Sequence, residues 1–292
     1  MTEAMAMDLQ GFMARAGTLF SVCVNKWLFR QKNRYTFYGS YKFPFRKWSV
    51  DLIRKAALAY ARDEKTAKEV GDFVKVTSDM AFGLPYDKAA YSFDAKKKFG
   101  INVSSLLWDD NTRGRFGLSI DYKAFYRSLI TYLIETGEYQ VHIIPHVIDN
   151  KNYEAAENDY RVCCELEKEF KGHVILAPAF ETAIQAKSYI SNMDVFLGSR
   201  MHSTIGAISS GVATIPLSYA YKFEALYSHI NYPYVINARK ATTEEALKMT
   251  KQWASERDKL KETGEIAVSH ALDELVDFKN DLKISLKNND IL

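Results

Sequence analysis

From residue 99 onward, short runs of β-branched and aromatic residues alternate with helix-length amphipathic segments. This alternation confines the chain to the α/β class more tightly than any other feature it has. Residues 101–108 open as a strand. Residues 122–135 carry apolar side chains at 125, 126, 129, 130, 133 and 134, the spacing of one helix face, and Gly137 stands where a C-cap belongs. A buried strand over 140–145 follows, then a charged helix over 153–170 ended by Gly172, a strand over 174–177 and a helix over 182–190. The series closes with a strand over 195–197, a helix over 202–210 closed by Gly211, and a strand over 212–217. Consecutive βα units of this kind make a doubly wound parallel sheet.

A chain of 292 residues predicts two domains. The first 97 residues are less regular, with helix-like segments over 3–30, a strand-like stretch over 34–38 and a βα unit over 58–75, too few for a full Rossmann-like domain. The expected organisation is an incomplete amino-terminal α/β domain over 1–97, a Rossmann-like domain over 98–240, and a helical tail over 241–292 packing across both. Two long helices, 244–260 and 265–286, account for that tail.

Thirty-nine Lys and Arg against 36 Asp and Glu give a net charge of +3, too balanced to coat a nucleic acid but compatible with a local site for a small anion. The cysteines, Cys23, Cys163 and Cys164, build neither a disulfide framework nor a spaced zinc site, so a reducing cytoplasm fits best. The apolar run over 16–24 falls well short of the ~20 residues that span a bilayer, and Glu3 and Asp8 in the preceding segment argue against a signal peptide.

In a doubly wound sheet the ligand sits outside the carboxyl ends of the strands, where strand order reverses, so chemistry belongs to the loops that follow strands. The most informative is 198–202, where a buried strand passes into a helix. Ser203 and Thr204 can cap that helix, its first-turn N–H groups and dipole favour an anion, Arg200 offers a planar fork for phosphate or carboxylate, and His202 can exchange a proton. The competing reading is that Arg200 pairs with an acidic side chain and His202 merely caps. Lys222, after the next strand, is a second candidate cation, while Tyr219 and Tyr221 are expected to pack. His146, just after its strand, can contact a ligand. Pro145 and the strand pattern argue against a helical metal pair with His142. Glu181 is a candidate base or hydroxyl acceptor, and Asp63, beside Arg62, is a helix cap by default. No P-loop, dinucleotide glycine turn or Gly-x-Ser-x-Gly elbow is present.

Arg62-Asp63-Glu64, Asp79-Met-Ala-Phe82, Gly100-Ile-Asn102-Val-Ser, Pro145-His146, Gly198-Ser-Arg200-Met-His202, Ser210-Gly211 and Ser218-Tyr219 with Lys222 occur in an order that resembles the polysaccharide pyruvyl transferase family, over about residues 35–226. The resemblance implies two Rossmann-like domains like those of a GT-B glycosyltransferase, the second binding the donor. It also implies phosphoenolpyruvate as donor, and as acceptor a surface-polysaccharide sugar or its lipid-linked precursor, which would bring the protein to the inner face of a membrane. The product is a pyruvate ketal. Arg200 and His202 then lie at the donor site, with Lys222 and Arg62 as further carry-overs; from the chemistry of the donor Arg200 is the expected clamp and His202 the expected proton carrier, and His146, Ser203 and Glu181 join the substrate-binding candidates from their own positions in the loops. No cofactor or metal is expected, the donor being a substrate. Family members usually begin with a strand, a Gly-Asp loop and further βα units that have no counterpart before residue 35, hence a shortened amino-terminal domain. Two other readings are a nucleotide-sugar glycosyltransferase of the same architecture and a truncated, non-catalytic glycan-binding or assembly relative.

Overall fold

A computed structural model describes residues 58–94, 96–110, 114–149 and 151–288, with Val50, Ile53, Arg54 and Ala56. The helix expected over 3–30 and the strand over 34–38 lie outside the described residues. The chain divides into a larger unit, Ser78–Asp273, and a smaller one made of Met1–Thr77 and Glu274–Leu292. Residues 78–97 thus group with the large sheet, and the end of the chain groups with its beginning.

In the smaller unit β1 (Tyr60–Ala61) and β2 (Lys75–Val76) pair in parallel, joined by helix α1 (Glu64–Val70). Asp63 caps α1, as its position predicts, accepting from the Thr66 N–H at 2.9 Å and the Thr66 hydroxyl at 2.8 Å. The long helix at the end of the chain adds Asp281, whose carboxylate takes both Tyr60 and Lys75, and Phe278, which packs edge-on against Tyr60.

The larger unit holds six parallel strands: β3 (Lys98–Asn102), β4 (Gln140–Ile143), β5 (Val174–Leu176), β6 (Val195–Gly198), β7 (Ala213–Ser218) and β8 (Ile236–Asn237). Their order is β5-β4-β3-β6-β7-β8. The chain builds outward from β3 to β5, returns to lay β6 against β3, and builds outward again, so strand order reverses between β3 and β6. The doubly wound sheet expected from the sequence is therefore present. Strands β3, β6 and β7 are buried along their whole length, as expected of a parallel sheet covered on both faces, and β3 and β7 bury polar residues at their ends as well as apolar ones between them.

The connecting helices are α2 (Ser105–Trp108), α3 (Tyr122–Thr136), α4 (Asp159–Glu169), α5 (Ala183–Ile190), α6 (Met201–Ile208) and α7 (Tyr221–His229), followed by α8 (Thr243–Ser255) and α9 (Arg257–Asn288). On α3 the three-and-four spacing buries Phe125, Tyr126, Leu129, Ile130 and Leu133, each contributing about 1.5–3 kcal/mol by leaving water. Gly137 ends α3 in the left-handed region, at φ 61°. Among the described residues, no helix is long and apolar enough to cross a membrane.

Three local expectations need correction. The strand placed over 101–108 ends at Asn102 and becomes helix at Ser105, because past the sheet edge there is no neighbouring strand and the Ser104 carbonyl instead accepts from Leu107 and Trp108. The helix placed over 153–170 starts only at Asp159, since the Asn158 side chain caps it at the Tyr160 N–H while also donating to the Asp149 and Tyr153 carbonyls, which folds the preceding residues into turns. Two helices close the chain as expected, but the break between them lies at Glu256 and not between 260 and 265, and a short strand, β8, precedes them.

Candidate active site

At the reversal between β3 and β6 the parallel register sets three residues on one level. Ser104 is three residues past Ile101, and His146 is three past Ile143, the partner of Ile101; Ser104 is also two past Asn102, and Arg200 is two past its partner Gly198. Asn102 locks these strand ends together. Its side-chain oxygen accepts from the Arg200 N–H and the Ser203 hydroxyl, both at 3.0 Å, and its amide donates to the Ile144 carbonyl at 3.0 Å. Gly198 lets helix α6 descend onto the strand, because a Cβ there would lie 2.9 Å from both Ser203 Oγ and Thr204 Cγ2.

The organising residue is Asp159, fully buried on the first turn of α4. Its carboxylate accepts from the Ser105 N–H at 2.9 Å and the Val147 N–H at 3.0 Å, and it takes Arg200 through Nε at 3.1 Å and Nη2 at 2.7 Å. One carboxylate thus pins the loops after β3, β4 and β6. Arg200, only 8% exposed, also donates from Nη2 to the Glu157 carbonyl at 3.1 Å. Burial disfavours its charge, and Asp159 more than offsets this, leaving the guanidinium pKa above its ordinary value. The pairing of Arg200 with an acidic side chain, raised as the competing reading, is what the structure contains.

His202 behaves differently. On the first turn of α6 its side chain is 55% exposed, and its Nε2 lies 3.6 Å from Oδ2 of the largely buried Asp79. Asp79 is itself held in place, because its Oδ1 accepts from the Ala81 N–H at 3.0 Å while the Phe82 N–H donates to its carbonyl. Lys187, buried on α5, donates to the Leu84 carbonyl at 2.7 Å and clips the same loop from behind. Ser203 and Thr204 do not cap α6. Their hydroxyls turn back to the Arg200 and Met201 carbonyls, both at 2.7 Å, and Arg200 occupies the N-cap position without a side-chain bond.

Of the other candidates, His146 joins this cluster. Burial, together with the nearby His202 and Arg200, pushes its imidazole pKa down to about 4 against an opposing pull from Asp159. Lys222 stands on the first turn of α7, on the neighbouring strand's loop, and α7 also lacks a side-chain cap. Tyr219 packs edge-on against Phe116 and lies against the Arg200 guanidinium. Glu181 is exposed beyond the edge strand β5, its N–H engaged by Gln185 in the cap of α5, and no described contact brings it to the cluster. Arg62 follows β1 in the smaller unit. His142 is fully buried between Tyr189 at 2.7 Å and Gln140 at 2.9 Å. Among the described residues no group of His, Cys, Asp and Glu is arranged to hold a metal ion. Asp159 was not singled out from the sequence, and Asp79 entered only as part of a motif without a role.

The fold has relatives among solved structures. One is the UDP-forming α,α-trehalose-phosphate synthase of Burkholderia vietnamiensis, with TM-score 0.53 and 11% identity over 85% of this chain and 65% of that one. Others are the UDP-GlcNAc 2-epimerase of Neisseria meningitidis bound to UDP-GlcNAc (TM-score 0.47, 11% identity, 79% and 63%) and the glycotransferase of kitacinnamycin (TM-score 0.44, 10% identity, 76% and 54%). The chain spans between about half and two thirds of the length of these structures. The architecture is of the GT-B glycosyltransferase kind, with a helical carboxy-terminal region. No curated protein matches the sequence. The family model for polysaccharide pyruvyl transferase matches residues 44–221, more than half of the chain, across both the Asp79 loop and the Arg200–His202 turn. The chain belongs to the polysaccharide pyruvyl transferase family.

Proposed function

We propose that this protein transfers the enolpyruvyl group of phosphoenolpyruvate to a sugar of a surface polysaccharide or its lipid-linked precursor, forming a pyruvate ketal. The observation that carries the reading is His202, half exposed beside Asp79 on the first turn of an uncapped helix where strand order reverses. Of the helices described in the larger unit that reach eight residues and follow directly on a strand, α4, α5 and α8 are capped by Asn158, Thr182 and Thr242, whereas α6 and α7 have no side-chain cap. Those two rise from the adjacent strands β6 and β7, so the positive dipole ends of two helices without side-chain caps lie side by side at one edge. A donor carrying a phosphate and a carboxylate suits such an edge.

In this reading Lys222 and the Nη1 edge of Arg200, on the side away from Asp159, bind the donor's anionic groups. Asp159 holds that guanidinium at a fixed place and angle. His202, oriented by Asp79, delivers its proton to the donor's methylene carbon, which becomes a methyl group as C2 turns electrophilic. A sugar hydroxyl adds to C2, phosphate departs with the C2–O electron pair, and a second hydroxyl closes the ring. Of the two hydroxyl protons released, one replaces the proton His202 gave and the other leaves with phosphate. General acid catalysis of this kind is worth about 10²–10⁴ in rate. Ser203 supports the turn through Asn102, and the reaction uses no metal or cofactor. The protein would meet a lipid-linked acceptor at the cytoplasmic face of a membrane.

The test is incubation of the full chain with phosphoenolpyruvate and lipid-linked saccharides, with inorganic phosphate measured and the glycan examined by mass spectrometry. Phosphate release matched by a glycan heavier by one ketal-linked pyruvate supports the reading. Sugar transfer from a nucleotide sugar instead, with no use of phosphoenolpyruvate, overturns it.

A further inference from the structure

Buried side-chain polar atoms almost always have partners, and those that do not call for a reason. Among the described residues the exceptions are Ser104 Oγ, His146 Nδ1, Arg161 Nε, Tyr227 Oη and Arg257 Nη1. Arg161 pairs with Glu165 through Nη1, Arg257 Nη1 itself lies 3.6 Å from the Asp194 carboxylate, and the Tyr227 hydroxyl lies near Thr204. Ser104 and His146 remain, and they are the two residues that the β3–β4 register places at one level past the strand ends.

Their positions are fixed by their neighbours. The Ser105 and Val147 N–H groups, each one residue further along, donate to Oδ1 and Oδ2 of Asp159, so a single carboxylate sets the spacing between the two loops. Ser104 has no cap to make, since its side chain bonds nothing in α2, and its own N–H is taken by the Tyr122 hydroxyl at 2.8 Å. The result is a hydroxyl oxygen and an imidazole nitrogen, both buried and unsatisfied, in the two loops that Asp159 ties to Arg200.

We propose that Ser104 and His146 form the subsite for a hydroxyl of the saccharide acceptor, with His146 Nδ1 accepting the hydroxyl proton in a hydrogen bond and Ser104 Oγ donating to the same oxygen. The assignment deepens the function proposed above and rests on it for the identity of the second substrate. An anion is a poorer occupant. The imidazole is held neutral and offers it no charge, and the Asp159 carboxylate lies directly behind both loops. A hydroxyl, donor and acceptor at once, satisfies both orphaned atoms together.

The probes are methyl glycosides of galactose, glucose, mannose and N-acetylglucosamine, titrated against the full chain by saturation-transfer NMR, with phosphoenolpyruvate binding followed separately by thermal shift. At least one glycoside is expected to bind, and Ser104→Ala and His146→Phe are each expected to weaken it by about tenfold or more, as loss of a buried hydrogen bond does. Ser104→Ala should keep the wild-type response to phosphoenolpyruvate. Ser104→Ala should also melt at the wild-type temperature or above, because it removes an unsatisfied polar atom, whereas a structural role for Ser104 predicts a lower melting temperature. Binding of no glycoside, unchanged binding by both variants, or a melting temperature lowered by Ser104→Ala overturns the assignment. Failure of phosphoenolpyruvate to bind, with glycoside binding still sensitive to His146, would sink the proposed reaction and leave this subsite standing.

Discussion

Replacing Asp159 by Asn separates the organising role of that carboxylate from its shape. The amide keeps the volume but removes the charge opposite Arg200, which is only 8% exposed. One amide end also becomes a donor facing the Ser105 or Val147 N–H, which now donate to Oδ1 and Oδ2 at 2.9 and 3.0 Å. Breaking a buried pair from one side costs about 3–5 kcal/mol. In a unit the size of Ser78–Asp273 that corresponds to a fall of roughly 6–20 °C in melting temperature, at about 2–4 °C per kcal/mol. Thermal and urea unfolding of Asp159→Asn, Arg200→Met and the double variant would form a cycle, with a coupling energy of at least about 2 kcal/mol expected for direct contacts of 2.7–3.1 Å. An apolar pair, Asp159→Leu with Arg200→Met, should recover much of the stability yet bind no phosphoenolpyruvate. A loss under about 1 kcal/mol for Asp159→Asn, or simple additivity in the cycle, would refute the idea that this carboxylate holds the three loops together.

Three further outcomes follow from the same geometry. His202→Ala should lower phosphate release by at least about 10²-fold while sparing phosphoenolpyruvate binding, and Asp79→Asn should lower the rate less and shift its pH profile, as expected of a residue that acts through His202. Gly198→Ala puts a methyl group within 2.9 Å of Ser203 and Thr204, so α6 must rise, at a cost of about 1–3 kcal/mol in denaturant midpoint measurements and with loss of donor binding. His142 and His146 have folded-state pKa values pushed by burial to about 4, below the ordinary 6.5, so as pH falls the unfolded chain takes up protons first. Their contribution to stability is therefore complete above pH 6.5 and is lost toward pH 4, on the order of 3 kcal/mol each. In His142→Phe the slope of stability against pH over that window should fall by about half.

What the sequence disclosed, and what it withheld, divides along the range of the interactions involved. Periodicity identified α3 and the buried strands because the face of a helix and the interior of a parallel sheet are written in adjacent residues, as the buried Phe125, Leu129 and Leu133 show. Gly137 and the Asp63 cap were legible for the same reason. The turn bearing Arg200 and His202 was visible as a strand passing into a helix at the sheet edge. Its internal division was not. The two side chains are two residues apart in sequence, yet one is sealed against Asp159 and the other half exposed, and only the arrival of α4 from a distant part of the chain decides which. Asp159 itself reads locally as an ordinary acidic residue in the first turn of a charged helix, with the Asn158 cap as its only signal. Its four contacts come from three separate loops, and no local pattern encodes their meeting. The missed turn at Ser104 has the same origin, since strand propensity says nothing about where the sheet runs out of neighbours.

The claim beneath the whole account is that this sheet edge grips a small, multiply charged enol phosphate. Thermal unfolding of the purified chain with increasing phosphoenolpyruvate, against parallel titrations of UDP-glucose and UDP-N-acetylglucosamine, tests it most directly. At a concentration about a hundred times the dissociation constant, selective binding stabilises by about 2.7 kcal/mol, a rise of roughly 5–11 °C for a unit of this size. The account predicts that rise with phosphoenolpyruvate alone, and its loss in Lys222→Ala. A rise produced by the nucleotide sugars and absent with phosphoenolpyruvate would contradict it.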